Sequence, residues 1–254
     1  MKRKVLIVGI GAGNPDHITV QAVNALNKAS VFFVPSKGAE KSDLAALRRQ
    51  IIERFVESTD YRIVGFDNPV RDSSNESYRS GVADWHDAVE GVYEQLIVGE
   101  LGEEDYGAFL AWGDPSLYDS ILRILEKIRC KGRLDLDYEV IPGISSVQAL
   151  AAAHKIPLNR IGESIMLTTG RKLAECFPDN ADSVVVMLDG QLAFKTVDED
   201  VEIYWGAYVG TEDEILVSGR LRDVVEEIER VRQEARARKG WIMDTYLLWK
   251  PERP

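Results

Sequence analysis

The chain has 254 residues, 45% hydrophobic and 29% charged, the composition of a globular protein with one large or two modest domains and room for a sizeable core. A formal net charge of −11 argues against broad nucleic-acid binding and against attraction to an anionic membrane surface, although a local group of arginines can still oppose that sign and take an acidic small molecule. Cys130 and Cys176 are isolated, no CxxC or zinc-like His spacing occurs, and no apolar run approaches a membrane span, so the expectation is a cytoplasmic protein without a metal site.

Val5–Val8 is a continuous apolar run, as expected of a strand buried on both faces, and it ends in Gly9-Ile-Gly11-Ala-Gly13-Asn14-Pro15-Asp16. A helix is predicted from Asp16 or Thr19, with Val20, Val23 and Leu26 inward. Val31–Val34 reads as a second strand stopped by Pro35, followed by a helix through Leu44, Leu47, Ile51 and Phe55 with Ser42 or Asp43 as cap. Tyr61–Phe66 is a third strand and 68–77 a loop. Tyr78, Val82, Trp85, Val89, Val92 and Leu96 mark a long amphipathic helix. A fourth strand, Tyr106–Trp112, runs into Gly113-Asp114-Pro115, with a helix expected at once and Leu117, Ile121, Ile124 and Ile128 on its inner face. Tyr138–Ile141 is a fifth strand. It meets Pro142-Gly143-Ile144-Ser145-Ser146 and an alanine-rich helix ending near His154.

Strand–helix alternation through this half implies a parallel sheet. Beyond it, strands are predicted at Ile165–Thr168, Val184–Leu188, Ile203–Val209 and Trp241–Trp249, with fewer helices between them. One long helix, marked by Leu221, Val224, Ile228 and Val231, ends at Gly240, and 230–239 reads as a solvated charged face. The change of pattern after Pro142 divides the chain into 1–142, an αβα domain on a parallel sheet, and 143–254, an α/β domain on a mixed sheet. A ligand is expected in the cleft of such a pair.

Each candidate motif has two readings. Gly113 permits close backbone approach to a ligand at a strand's carboxyl end, yet Asp114 and Pro115 equally suit a helix cap and first turn. Gly9-x-Gly11-x-Gly13 suggests a dinucleotide fold, but Asn14 stands where the third glycine is needed and no acid closes the second strand, which disfavours NAD. No P-loop pattern is present. His17, His86 and His154, and Trp85, Trp112 and Trp205, read singly as structural residues.

In order, Val8-Gly-Ile-Gly-Ala-Gly-Asn-Pro-Asp16, Trp112-Gly-Asp-Pro-Ser-Leu-Tyr118, Val140-Ile-Pro-Gly-Ile-Ser-Ser146 and Val184-Val-Val-Met-Leu188 resemble the tetrapyrrole (corrin/porphyrin) methyltransferase family. Asp16–Ala22, Phe109–Ser120, Pro157–Arg160, Thr168–Arg171, Met187–Gly190, Tyr204–Tyr208 and Gly240–Tyr246 extend the likeness toward members that methylate a corrin precursor and release its acetyl group as acetate. The resemblance implies a two-lobed α/β fold, a homodimer, and S-adenosyl-L-methionine bound between the lobes, leaving S-adenosyl-L-homocysteine as product. It places Pro15, Trp112, Gly113, Asp114, Tyr118, Ser145, Ser146 and Met187 around the cofactor, with Trp205 and Met243 on the adenine side. Gly13 and Asn14 fall on the substrate side; other members carry Gly-Asp-Pro where this chain has Gly13-Asn14-Pro15. Arg71, Arg79, Arg160 and Arg171 are candidates for the substrate's carboxylates. Loss of the acetyl group needs a base, for which His17 with Asp16 beside it is the candidate. Methylation at another ring position, or a relative that binds a tetrapyrrole without chemistry, remain alternatives.

Overall fold

The computed structural model describes residues 2–36, 42–69, 78–178 and 180–251, the side chains of 42–43 and 78–84 excepted. The chain divides into two compact units. One holds the chain up to Gly11 and from Pro15 to Ile144; the other holds Ala12–Asn14 and everything from Ser145 onward.

In the first unit, β1 (Lys2–Gly9), β2 (Val31–Pro35), β3 (Arg62–Phe66), β4 (Tyr106–Ala111) and β5 (Asp135–Ile141) form one sheet in the order β3-β2-β4-β1-β5, parallel throughout. The continuous apolar runs are explained by a core on each face. Val5, Ile7, Val31, Phe33 and Phe109 point to one side, and Leu6, Val8, Phe32, Val34 and Leu110 to the other, following the two-residue period of a strand. Helices α1 (Val20–Leu26) and α2 (Ser42–Phe55) cover the second face, and α3 (Tyr78–Glu100) and α4 (Ile121–Lys131) the first.

Two expectations here need correction. In α1 the inward residues are Ala22, Ala25 and Leu26, while Val20 is 79% exposed. Thr19 caps the helix by accepting a hydrogen bond from Ala22 N at 3.0 Å, and this sets Val20 on the outer side of the first turn. Nor does a helix begin at Asp114: α4 starts at Ile121, whose N–H is taken by Asp119 Oδ1 at 2.7 Å. Tyr118 has φ +54°, a left-handed residue that no α-helix from Asp114 could run through, so Leu117 lies in a loop.

In the second unit, β6 (Ile165–Thr169), β7 (Ser183–Met187), β8 (Glu202–Ala207), β9 (Ile215–Arg220) and β10 (Asp244–Trp249) are ordered β6-β7-β10-β8-β9. β6 and β7 are parallel and the remaining pairs antiparallel, which makes the sheet mixed. α5 (Ser146–His154), α6 (Gly170–Glu175) and α7 (Leu221–Lys239) complete the unit. The edge strand β9 and the six-residue α6 were not predicted: β9 has only three apolar residues before Ser218-Gly219, and α6 opens on a glycine. The 230–239 stretch is not wholly a solvated face, because Arg232 is buried on Asp244 at 2.8 Å. Among the described residues no helix is long and apolar enough to cross a membrane.

Candidate functional site

β4, β1 and β5 are neighbours, and their carboxyl ends carry Gly113, Gly9 and Gly143. A Cβ on Gly143 would lie 2.1 Å from the Gly113 carbonyl oxygen, and one on Gly9 would lie 2.6 Å from Gly143 N. The three backbones therefore touch directly, and no side chain fits there. Gly113 has φ +68° and Gly11 φ +84°; their backbones exchange hydrogen bonds of 2.8 and 3.4 Å as a single antiparallel bridge. Carboxyl ends of parallel strands are where α/β sheets bind ligands, and the helices after β1 and β4 cover opposite faces.

Asp114 fixes this edge. One carboxylate oxygen accepts from Ser116 N at 2.8 Å and from the Ser116 hydroxyl; the other accepts from Gly143 N at 2.9 Å. Burial opposes ionisation of Asp114, but the hydrogen bonds from Ser116 and Gly143 outweigh it and hold the carboxyl below its ordinary range. Its role as a helix cap is thereby excluded. Trp112 Nε1 beside it is buried without a partner, and burial pushes the half-exposed Tyr118 phenol up. Pro15–His17 forms one 3-10 turn, in which His17 packs against Gly11 and keeps its Nδ1 buried and unpartnered. Asp16 is exposed and ion-paired with Arg54 at 2.6 Å. His86 meets Ser120 Oγ at 3.1 Å.

The second unit has its own loop-bearing end. Thr169, Met187, Thr245 and Gly206 align across β6, β7, β10 and β8, so Gly170, Leu188, Met243 and Tyr208 share one edge of the sheet. Leu188 (φ +55°) and Tyr208 (φ +50°) are both left-handed there, and Met243 O accepts from Tyr208 N at 2.9 Å. Such strain in bulky residues gathers where a ligand or a switch requires it. Thr169 Oγ1 and Trp241 Nε1 are buried without partners at this edge. Gly13 packs on Val209 O and Thr211 in the same region. Arg171, exposed in α6, follows directly.

Other sequence candidates lie elsewhere. Ser145 is committed to a capping box: its Oγ accepts from Val147 N at 3.2 Å while Gln148 accepts from Ser145 N at 3.1 Å, leaving Ser146 the half-buried neighbour. Trp205 has no exposed surface, and its indole donates to Asp244 Oδ2 at 3.2 Å. His154 meets the Trp205 carbonyl at 3.0 Å rather than its own helix end. Arg160 pairs with Asp182 at 2.9 Å and lies over Trp249, beside a cavity of 520 Å³ also lined by Glu202, Arg220 and Lys250. That cavity opens at the end of the sheet opposite Met187, about 14 Å away along β10. Arg71 lies outside the described residues, as does the side chain of Arg79. Sequence reasoning missed Leu188 and Asp189 as site-edge residues, although the stretch containing them had been singled out.

In the first unit, bare glycine backbone beside the unpartnered buried donor Trp112 Nε1 suits an organic ligand with polar groups. The family described as Tetrapyrrole (Corrin/Porphyrin) Methylases matches residues 4–225. A precorrin-6A synthase [deacetylating] from Sinorhizobium sp is 55% identical over 98% of this chain and 95% of its own length. The crystal structure of a cobalamin synthesis related protein (CobF) from Corynebacterium diphtheriae aligns with 99% of this chain and 100% of that one, at TM-score 0.83 and 38% identity. A uroporphyrin-III C-methyltransferase from Thermus thermophilus, complexed with S-adenyl homocysteine, shares the fold at TM-score 0.57 and 16% identity, covering 97% of each chain. The chain belongs to the tetrapyrrole (corrin/porphyrin) methylases.

Proposed function

We propose that the chain carries out the reaction of its 55% identical relative, moving the methyl group of S-adenosyl-L-methionine to C-1 of precorrin-5 and releasing acetate, to give precorrin-6A. The identity over nearly the full length of both chains carries this reading beyond the family level.

A sulfonium methyl group is already activated, so the cofactor supplies the chemistry of transfer once bound. What remains for the protein is to hold a nucleophilic ring carbon in line and keep water away. The Gly9–Gly113–Gly143 junction gives a rigid wall of backbone for this, and Asp114 locks it by gripping Gly143 N. Trp112, Gly113, Asp114, Tyr118 and Pro15 are the proposed cofactor contacts of the first unit. Ser146, Met187 and Met243 are those of the second, while Trp205, which has no exposed surface, and Ser145, held in its capping box, are assigned no contact. Gly13, Asn14 and Arg171 are assigned to the substrate, whose carboxylates an arginine can grip in bidentate fashion.

Release of acetate breaks a carbon–carbon bond. Water adds to the acetyl carbonyl and gives up a proton, and the ring carbon then leaves with the bonding pair as an enamine. His17 is the proposed acceptor of that proton, its unpartnered Nδ1 being the supporting observation. A homodimer in the cytoplasm completes the proposal, the first part open to light scattering on the purified protein. The deciding test is incubation with precorrin-5 and methyl-labelled S-adenosylmethionine, followed by mass spectrometry of pigment and acetate. One labelled methyl group gained and one acetate released per turnover is the expected result. Label without acetate, or neither, overturns the assignment.

A further inference from the structure

The Met187-Leu188-Asp189-Gly190 stretch holds a costly arrangement that methyl transfer as described above does not use. Leu188 is 64% exposed and left-handed at φ +55°, a conformation that disfavours a bulky residue, so something must hold it there. The next residue supplies the hold. Asp189 is 5% exposed and carries three hydrogen bonds on its carboxylate: Gln191 N at 3.0 Å, Ala193 N at 2.7 Å and Tyr246 Oη at 2.7 Å. Its carbonyl oxygen accepts a fourth, from Arg232 Nη2 at 2.8 Å, and Arg232 is braced in turn by Asp244. Even the space is reserved, since a Cβ on Gly170 would lie 2.5 Å from the Asp189 carboxyl. Burial, and then the facing carboxylate, push the Tyr246 phenol upward, so it stays a donor. Groups from β10, α6, α7 and the loop after β7 thus converge on one side chain next to a strained, solvent-facing leucine.

We propose that Asp189 is a positioning residue, which holds Leu188 in its left-handed conformation so that the Met187–Leu188 backbone and the Leu188 side chain form a fixed wall of the cofactor site. This rests on the reading that places Met187 at that site. A hydrogen-bonded anchor behind a strained residue fixes the binding shape before the ligand arrives, and removing it loosens binding without removing any direct contact.

The test is a double-substitution cycle read by calorimetric binding of S-adenosyl-L-homocysteine to the purified full chain. Leu188→Gly suits φ +55° and is expected to fold and to bind about tenfold more weakly, and Asp189→Asn is expected to lose about the same factor. If Asp189 acts through Leu188, the double variant binds within about twofold of either single one. A merely structural role lowers the melting temperature without this coupling. Losses that multiply to about a hundredfold, or Asp189→Asn with wild-type affinity, overturn the proposal. Should Asp189→Asn fail to fold, Tyr246→Phe takes its place under the same criterion. A wild-type chain that does not bind S-adenosyl-L-homocysteine overturns the cofactor reading itself, a result distinct from binding without coupling.

Discussion

Replacing Gly143 by alanine probes the backbone junction most directly. The new methyl carbon would stand 2.1 Å from the Gly113 carbonyl oxygen, held in the bridge with Gly11, and 2.8 Å from the Gly9 carbonyl carbon at the end of β1. To reach even a tight contact, the turns after β4 and β5 must part by about an ångström, an overpacking that costs about 1–3 kcal/mol. The same movement pulls Gly143 N from Asp114, now at 2.9 Å, and a hydrogen bond to a charged group is worth about 1.5–3 kcal/mol. Together a loss of about 3–5 kcal/mol is expected, read from urea midpoints by tryptophan fluorescence, with loss of S-adenosyl-L-homocysteine binding alongside. Gly91→Ala is the control: it sits in α3 with nothing within 4 Å of a built Cβ, and should gain about 0.5–1 kcal/mol. A Gly143→Ala protein within about 1 kcal/mol of wild type and with undiminished affinity would refute the junction argument.

Asp114→Asn keeps one carbonyl oxygen for two backbone donors, Ser116 N and Gly143 N, so it should cost about 1–3 kcal/mol and weaken S-adenosyl-L-homocysteine binding; unchanged calorimetry would refute this. Because the Asp114 carboxyl is held below its ordinary range, the unfolded chain binds the extra proton. Its stabilisation is therefore full above the ordinary aspartate range and fades as pH falls through the lowered value, a slope that Asp114→Asn should flatten in acid titrations. His17→Ala should bind the cofactor product normally yet release acetate about 10²–10⁴-fold more slowly, and a wild-type acetate rate would remove His17 as the base. Arg232→Ala strands the buried Asp244 and should cost about 3–5 kcal/mol at neutral pH by denaturant unfolding. Burial already holds the Asp244 carboxyl above its ordinary value. The deficit of the Arg232→Ala variant should therefore shrink as pH falls and Asp244 gains its proton; a deficit independent of pH would contradict this.

Local patterns carried most of the fold. Runs such as Val5–Val8 and Val31–Val34 announce strands because a two-sided core makes every position apolar. Misreadings arose where a distant partner decides the outcome. Asp114-Pro115 has the grammar of a helix start, yet Asp114 serves Gly143, 29 residues away, and Asp119 opens the helix instead. Arg232 sits in a charged stretch indistinguishable from a wet surface until Asp244 crosses behind it. For the site, the glycine turns were legible because glycine is needed wherever backbones touch. Trp205 could not be told from a ligand-stacking ring, since burial on all sides leaves no local mark. Asp189 stood inside a noted motif, but its partners Arg232 and Tyr246 lie 43 and 57 residues further along.

The place of Gly13 sets an order on assembly during synthesis. Ala12–Asn14 are made roughly 200 residues before Val209, yet they group with the later unit, where Gly13 packs on Val209 O and Thr211. At a ribosomal pace of about 5–20 residues per second, these three residues wait roughly 10–40 s for the strand end that receives them. The parallel sheet around β1 can form in that interval while the glycine loop beyond Gly11 stays without its seat. A chain arrested before Val209 should therefore show a protease-resistant first unit and a cleavable bond near Gly13, and a chain carried past Thr211 should protect both.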